Sequence, residues 1–244
     1  MGCLVAASVG VGLTGLFRPE SLVIVVGAAL AWSVGVAVAS MSPSWQWFGA
    51  VELRGEGRRP EVALTFDDGP HPDSTPRLLH DLREARMRAT FLLLADQVDR
   101  HPELARRIAL EGHEIALHGA THHPWLTIRS VASGASELSR AADHVQEVTG
   151  SRPSRYRPPF GAVSPRVLGA AHAAGLRPCW ASVRTFDGNP RMVGGVRGRA
   201  ARAVAGDILL MHEGAGPGVA VVVDVLADLK ARGLRSVTVE ELMS

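Results

Sequence analysis

The chain has 244 residues, with 26 Lys+Arg against 24 Asp+Glu and a formal charge of +2. Near-balanced charge with no basic stripe interleaved with aromatics argues against a nucleic-acid partner. Two cysteines, Cys3 and Cys179, exclude a disulfide framework and a cysteine-rich zinc module.

The first fifty residues differ from the rest, because Met1–Ala50 holds one basic residue, Arg18, and one acidic residue, Glu20. Two uncharged runs flank that pair. Met1–Phe17 is apolar but rich in Gly; the run from Ser21 to Ser42 is stronger, with Leu22, Val23, Ile24, Val25, Val26, Leu30 and Trp32. Its length at about 1.5 Å per residue reaches roughly 33 Å, enough for a hydrocarbon layer of about 30 Å. Trp45 and Trp47 follow where an aromatic belt would lie. Residues 1–50 therefore read as a membrane anchor region of one or two transmembrane helices, with an extracytoplasmic domain beyond it. A secretory signal cleaved near Ala37-Val38-Ala39, giving a secreted protein, is the alternative; the missing basic n-region counts against it. Arg18 and the group Arg54, Arg58 and Arg59 pull the orientation in opposite directions.

Residues 51–60 read as a linker, and 61–244 as one domain large enough to bury a core. From Glu61 short apolar runs alternate with amphipathic stretches. Predicted strands are Glu61–Phe66, Ala89–Leu94, His113–Leu117, Arg155–Arg157, Pro178–Val183, Asp207–Met211 and Arg235–Val239. Between them, Ser74-Thr75-Pro76 offers a cap for a helix over Arg77–Met87. Pro102 opens Glu103–Glu111, Val131–Thr149 ends at Gly150, Pro165 opens Arg166–Ala174, and Val219–Ala231 closes at Gly233. Apolar strands separated by helices predict an α/β fold with a parallel sheet. Seven units suit a small closed or nearly closed β/α barrel, with a doubly wound open sheet as the alternative. No glycine-rich phosphate loop follows a strand.

In such folds chemistry sits on loops leaving the carboxyl ends of strands. There lie Asp67-Asp68-Gly69-Pro70, His118 to His123, Arg157-Pro158-Pro159-Phe160-Gly161, Asp187, and His212-Glu213. Asp67 and Asp68 would face opposite sides of a regular strand, so a turn at Gly69-Pro70 is needed to aim both inward. Two close carboxylates need a cation, either a metal or an arginine. His118 and His122 have the spacing that stacks imidazoles on one side of a helical turn, and neutral imidazole is a common metal ligand. His123 is a poor co-ligand beside them. Arg157 could pair with a carboxylate, and His212, ending an apolar run, could donate a proton.

Taken in order, these residues resemble the polysaccharide deacetylase family with the NodB homology domain, carbohydrate esterase family 4. Thr65-Phe66-Asp67-Asp68-Gly69-Pro70 is similar to its first motif, and His118 and His122 to its metal-binding histidines. Arg157-Pro158-Pro159-Phe160-Gly161 is similar to the third motif, Asp187 to the fourth and Leu210-Met211-His212 to the fifth. The resemblance implies a distorted (β/α)7-type barrel and hydrolysis of N-acetyl groups on amino sugars of a cell-envelope or chitin-like polysaccharide. It implies Asp68, His118 and His122 as ligands of a divalent metal, zinc first, with cobalt, nickel or manganese as alternatives. Asp67 would be the base for a metal-activated water, oriented by Arg157. His212 would be the acid, with Asp187 supporting the polar network around His212 or Arg157. Leu210 would line the acyl-methyl pocket, and the Phe160 N–H would help hold the oxyanion.

Three positions depart from the family pattern. Gly119 stands for Ser or Thr, Gly188 for a tryptophan, and Arg184 for the first aspartate of the fourth motif. They put substrate grip in question and keep alternatives open: a non-catalytic glycan-binding module, or a deacylase of O-acyl esters or lipid-linked sugars.

Overall fold

The computed structural model describes residues 19–40, 46–123, 129–189, 191–214 and 218–244. The predicted first apolar run, with Cys3 and Arg18, and Trp45 lie outside them. Helix α1 (Pro19–Ser40) matches the second apolar run. Among the described residues no helix is long and apolar enough to cross a membrane.

The domain is built on parallel strands: β1 (Glu61–Gly69), β2 (Thr90–Leu94), β3 (Glu114–Gly119), β4 (Arg155–Tyr156), β5 (Arg177–Pro178), β6 (Val183–Arg184), β7 (Ile208–His212) and β8 (Arg235–Val237). The order across the sheet is β5-β4-β3-β2-β1-β7-β6, with β8 also on β1. Every pairing is parallel. The predicted strand Pro178–Val183 is therefore two short strands at opposite edges, joined by residues 179–182. Laid flat, those edges would be about 29 Å apart at about 4.8 Å per strand. The link spans at most about 18 Å. The sheet must curl, but β5 and β6 do not pair, so the predicted barrel is an open, curled half-barrel. Residues 51–54, within the expected linker, pack at this seam: Glu52 bridges to Cys179 and Arg54 to Asp207.

Strand alternation sorts the core into two faces. Val62, Leu64 and Phe66 pack outward among Leu78, Leu79, Leu82 and Phe91. Ala63 faces inward with Trp180, Ile208 and Leu210. The outer face is covered by α2 (Thr75–Ala85), α3 (Ala95–Arg100), α4 (Pro102–Leu110), α5 (Val131–Thr149), α6 (Pro165–Ala173), α7 (Val196–Ala200) and α8 (Gly218–Ala231). Helix α5 shows why: Leu138, Ala141, Ala142 and Val145 fall on one stripe and are buried. Burying one leucine of this kind is worth about 2 kcal/mol. Ser130 caps α5, and Gly150 ends it in the left-handed region. The last predicted strand stops at Val237, because Thr238 forms a capping box with Glu241 and opens α9 (Val239–Leu242). The predicted Ser74 cap is absent from α2; its hydroxyl serves the site below.

Candidate active site

Because every strand is parallel, the carboxyl ends of β1, β3, β4, β6 and β7 share one rim. A cleft of about 500 Å³ opens there, lined among others by Asp67, Asp68, His118, His122, Phe160 and His212. The rim carries backbone that side chains rarely adopt: Asp68 (φ 75°), Phe160 (φ 59°) and Phe186 (φ 55°). Such conformations cost on the order of 1–3 kcal/mol each and gather at functional sites.

Asp67 continues the inward set of β1 and is buried. Asp68 should face outward, but its left-handed φ and a register shift between Asp67 and Gly69 re-aim it. The turn thus falls one residue before the predicted Gly69-Pro70. Gly69 is needed for close approach, since a Cβ there would lie 1.8 Å from Glu213 Oε1. Glu213 Oε2 accepts hydrogen bonds from Ser74 Oγ at 3.2 Å and from Thr75 Oγ1. Burial pushes the Glu213 carboxyl up to about 7 against those bonds.

Arg157 is fully buried, and its Nη1 donates to Asp67 Oδ1 at 2.7 Å and Thr65 Oγ1 at 2.8 Å. Its Nη2 donates to the Trp180 carbonyl at 3.3 Å. The pair therefore fixes the Asp67 carboxylate against the inner wall.

His118 lies in the last two residues of β3, whereas His122 lies in the loop beyond it, so no helical turn relates them. Gly119, at φ 138°, turns the chain instead, a conformation that disfavours the Ser or Thr of the family pattern. His118 donates Nδ1–H to the Arg157 carbonyl at 2.8 Å, since a carbonyl can only accept, so a neutral ring keeps its lone pair on Nε2. Its Nε2 lone pair then faces Asp68 Oδ1 at 3.4 Å, and His122 Nε2 lies 3.5 Å from the same oxygen. Asp68 Oδ1 is buried without a hydrogen-bond partner. Acceptors turned toward one another repel unless a cation stands between them. Ligand atoms about 2.0–2.2 Å from a tetrahedral ion sit about 3.3–3.6 Å apart. One ligand atom from each of Asp68, His118 and His122 lies within 4.8 Å of the others, so this donor set fits a metal ion. His123 is not in the group. Burial works against the Asp68 carboxylate, yet in the metal-free site the positive charge that His118, His122 and His212 carry when protonated outweighs it and holds the Asp68 pKa below the usual range.

His212 ends β7, and its Cα is paired with that of Asp67. Asp187 accepts from His212 Nδ1 at 2.9 Å and from the His212 backbone N–H at 2.7 Å. It also accepts from Thr185 Oγ1 at 3.0 Å. Asp187 therefore supports His212 rather than Arg157, and leaves His212 Nε2 for the cleft. Burial opposes the imidazolium, but the Asp187 bond and the charges of Asp67, Asp187 and Asp68 outweigh it and push the pKa up to about 9.

Leu210 lines the cleft from the inner face, as does Trp180. Phe160 is exposed, stands edge-on to His122 with ring centroids 4.3 Å apart, and no hydrogen bond from its N–H is found among the described residues. Trp180, Phe186 and Glu213 are cleft residues that sequence reasoning did not single out. Trp180 sits inside a run that reads as uniform strand, and Glu213 stands out in the sequence only as His212's neighbour. For Glu213 the one available signal was Ser74-Thr75, whose hydroxyls read as a helix cap.

The polysaccharide deacetylase family model matches residues 54–179. The peptidoglycan-N-acetylglucosamine deacetylase PgdA of Listeria monocytogenes is 36% identical over 182 residues, 74% of this chain and 38% of that protein. The chain thus spans well under half the length of that relative. A chitooligosaccharide deacetylase of Rhizobium leguminosarum bv. trifolii is 34% identical over 184 residues, 75% of this chain and 82% of that protein. The solved structure of the peptidoglycan deacetylase PdaC from Bacillus subtilis superposes with a TM-score of 0.70 at 28% identity, over 77% of this chain and 91% of that one. With the curled parallel sheet and the ordered rim residues, these matches make the chain a member of the polysaccharide deacetylase family.

Proposed function

We propose that this chain is a metal-dependent hydrolase that removes N-acetyl groups from amino sugars of a cell-envelope or chitin-like polysaccharide. One observation carries the reading: a carboxylate and two imidazoles with metal-ligand spacing lie in one cleft with a fixed carboxylate and a charged histidine. The relatives named as deacetylases of peptidoglycan and chitooligosaccharides support it.

Asp68, His118 and His122 would hold a divalent ion, zinc first, since two imidazoles and one carboxylate suit borderline metals. When bound, the ion supplies Lewis-acid polarisation of the acyl carbonyl and makes a water more acidic. Asp67, paired with and oriented by Arg157, takes the proton from the attacking water. The Phe160 N–H donates to the developing oxyanion. The amine cannot leave as an anion, so His212 Nε2 delivers a proton to it, and Asp187 stabilises the imidazolium beforehand. Leu210 fills the space against the acyl methyl.

Helix α1 is read as an anchor that keeps the domain at a membrane, on the extracytoplasmic side. Leu22, Val23, Ile24, Leu30 and Trp32 are all exposed on it, and such a run needs an apolar surrounding. Deleting residues 1–50 should move the protein from the carbonate-washed membrane pellet to the soluble fraction; identical fractionation refutes the anchor.

Amine release from chitooligosaccharides and peptidoglycan fragments tests the activity. Wild type should lose it on chelation and regain it with zinc, and Asp67→Asn should abolish it. Turnover indifferent to both treatments overturns the reading.

A further inference from the structure

Arg184 stands out on the wall of the cleft. It ends β6 and lines the cavity with Leu210, its Cα partner on β7. Partners on neighbouring strands share a face, so the side chain follows Leu210 toward the cavity. The guanidinium lies 4.8 Å from the Phe186 ring centroid. Phe186 also lies 5.7 Å from the Arg199 guanidinium, but Arg199 is committed to the Thr185 carbonyl at 2.6 Å and to that of Met192. Arg184 has no ion pair or hydrogen bond among the described residues, and it is exposed. The other arginine beside the cleft, Arg157, is buried and engaged by Asp67. Arg184 is thus a cation pre-oriented by an aromatic face and left without an anion.

Its distance from the chemistry is one sugar ring. Strand spacing of about 4.8 Å and a two-residue step to His212 of about 6.6 Å put the two Cα atoms roughly 8 Å apart. An extended guanidinium easily covers that range. Gly188 lines the same cleft, and a Cβ there would stand in contact with the His212 ring, 3.6 Å from Nδ1. We infer that Arg184 binds a carboxylate of the substrate, about one sugar ring from the acylated amine. The substrate class is then an acidic amino sugar rather than a neutral one. This rests on the deacetylase reading and adds the charge of the substrate to it.

The test uses the full chain loaded with zinc and two probes that differ only in charge: a stem-peptide-free peptidoglycan tetrasaccharide with free lactyl carboxylates, and its methyl ester. Wild type should prefer the acid by about fivefold in kcat/KM, the scale of a partly exposed guanidinium–carboxylate pair. The preference should shrink with added salt. Arg184→Gln should bring the acid-to-ester ratio close to one, and Arg184→Lys should keep part of it. A wild-type ratio near one, or a ratio unchanged in Arg184→Gln, overturns the inference. Should no probe release amine, the hydrolase reading alone has failed. Calorimetric binding of the same two probes then decides this one: discrimination lost in Arg184→Gln upholds it, and equal binding of acid and ester overturns it.

Discussion

Replacing Asp187 with Asn removes one charge from a buried site while keeping shape. Asp187 accepts three hydrogen bonds, two of them from His212, and is buried beneath it. The folded pKa of His212, about 9, exceeds an ordinary histidine value of about 6.5. A group raised in this way adds stability that is fully present below about pH 6.5 and lost as pH rises through 9. At about 1.36 kcal/mol per unit the ceiling is near 3 kcal/mol, and partial exposure of the ring lowers it to about 2 kcal/mol. Asp187→Asn removes only the share of this that Asp187 supplies, since Asp67 and Asp68 remain, and should therefore cost about 1–2 kcal/mol more at pH 6 than at pH 10. A pH-independent loss of about 1–3 kcal/mol adds to this, because the amide group cannot satisfy every donor that faces it. Urea denaturation of metal-free wild type and variant at both pH values reads the difference. Proton NMR titration should show the His212 pKa falling in the variant, where only the charges of Asp67 and Asp68 still oppose burial. Equal destabilisation at pH 6 and pH 10, with His212 titrating unchanged, would refute the role given to Asp187.

Other perturbations test the remaining parts. Zinc at about one hundred times its dissociation constant should stabilise wild type by about 2.7 kcal/mol, seen as a rise in Tm, and His118→Gln should lose most of that gain; an equal rise in both rejects the ligand set. Arg157→Met strands the buried Asp67 carboxylate and should cost about 3–5 kcal/mol in denaturant unfolding, whereas a loss under 1 kcal/mol contradicts the pairing. Glu213 has its folded pKa raised to about 7 by burial, so its contribution is lost as pH rises from about 4.5 through 7. Glu213→Gln should abolish that loss, about 2–3 kcal/mol between pH 4.5 and 8; parallel pH profiles for the two proteins would show that Glu213 does not titrate in this range.

The parallel α/β rhythm was legible because it is local. Apolar runs such as Glu61–Phe66 and stripes such as Leu138, Ala141, Ala142 and Val145 record which face each element buries. Glycine and proline marked their ends for the same reason, and parallel strands then put all the loop-borne polar residues on one rim. The site residues were legible as types: carboxylates, imidazoles and an arginine at strand ends, in an order resembling a known family.

What the linear order does not carry is long-range geometry. That Pro178–Val183 splits between opposite edges, leaving a seam beside residues 51–54, depends on the curl of the whole sheet. That Ser74 serves Glu213 rather than capping α2 depends on contact between residues far apart in sequence. The inward aim of Asp68 depends on a left-handed backbone that the surroundings must hold in place. Which partner Asp187 supports was undecidable until β6 and β7 lay side by side. Residue chemistry is set along the chain, but charge pairing acts through space, and packing alone determines which groups come within reach.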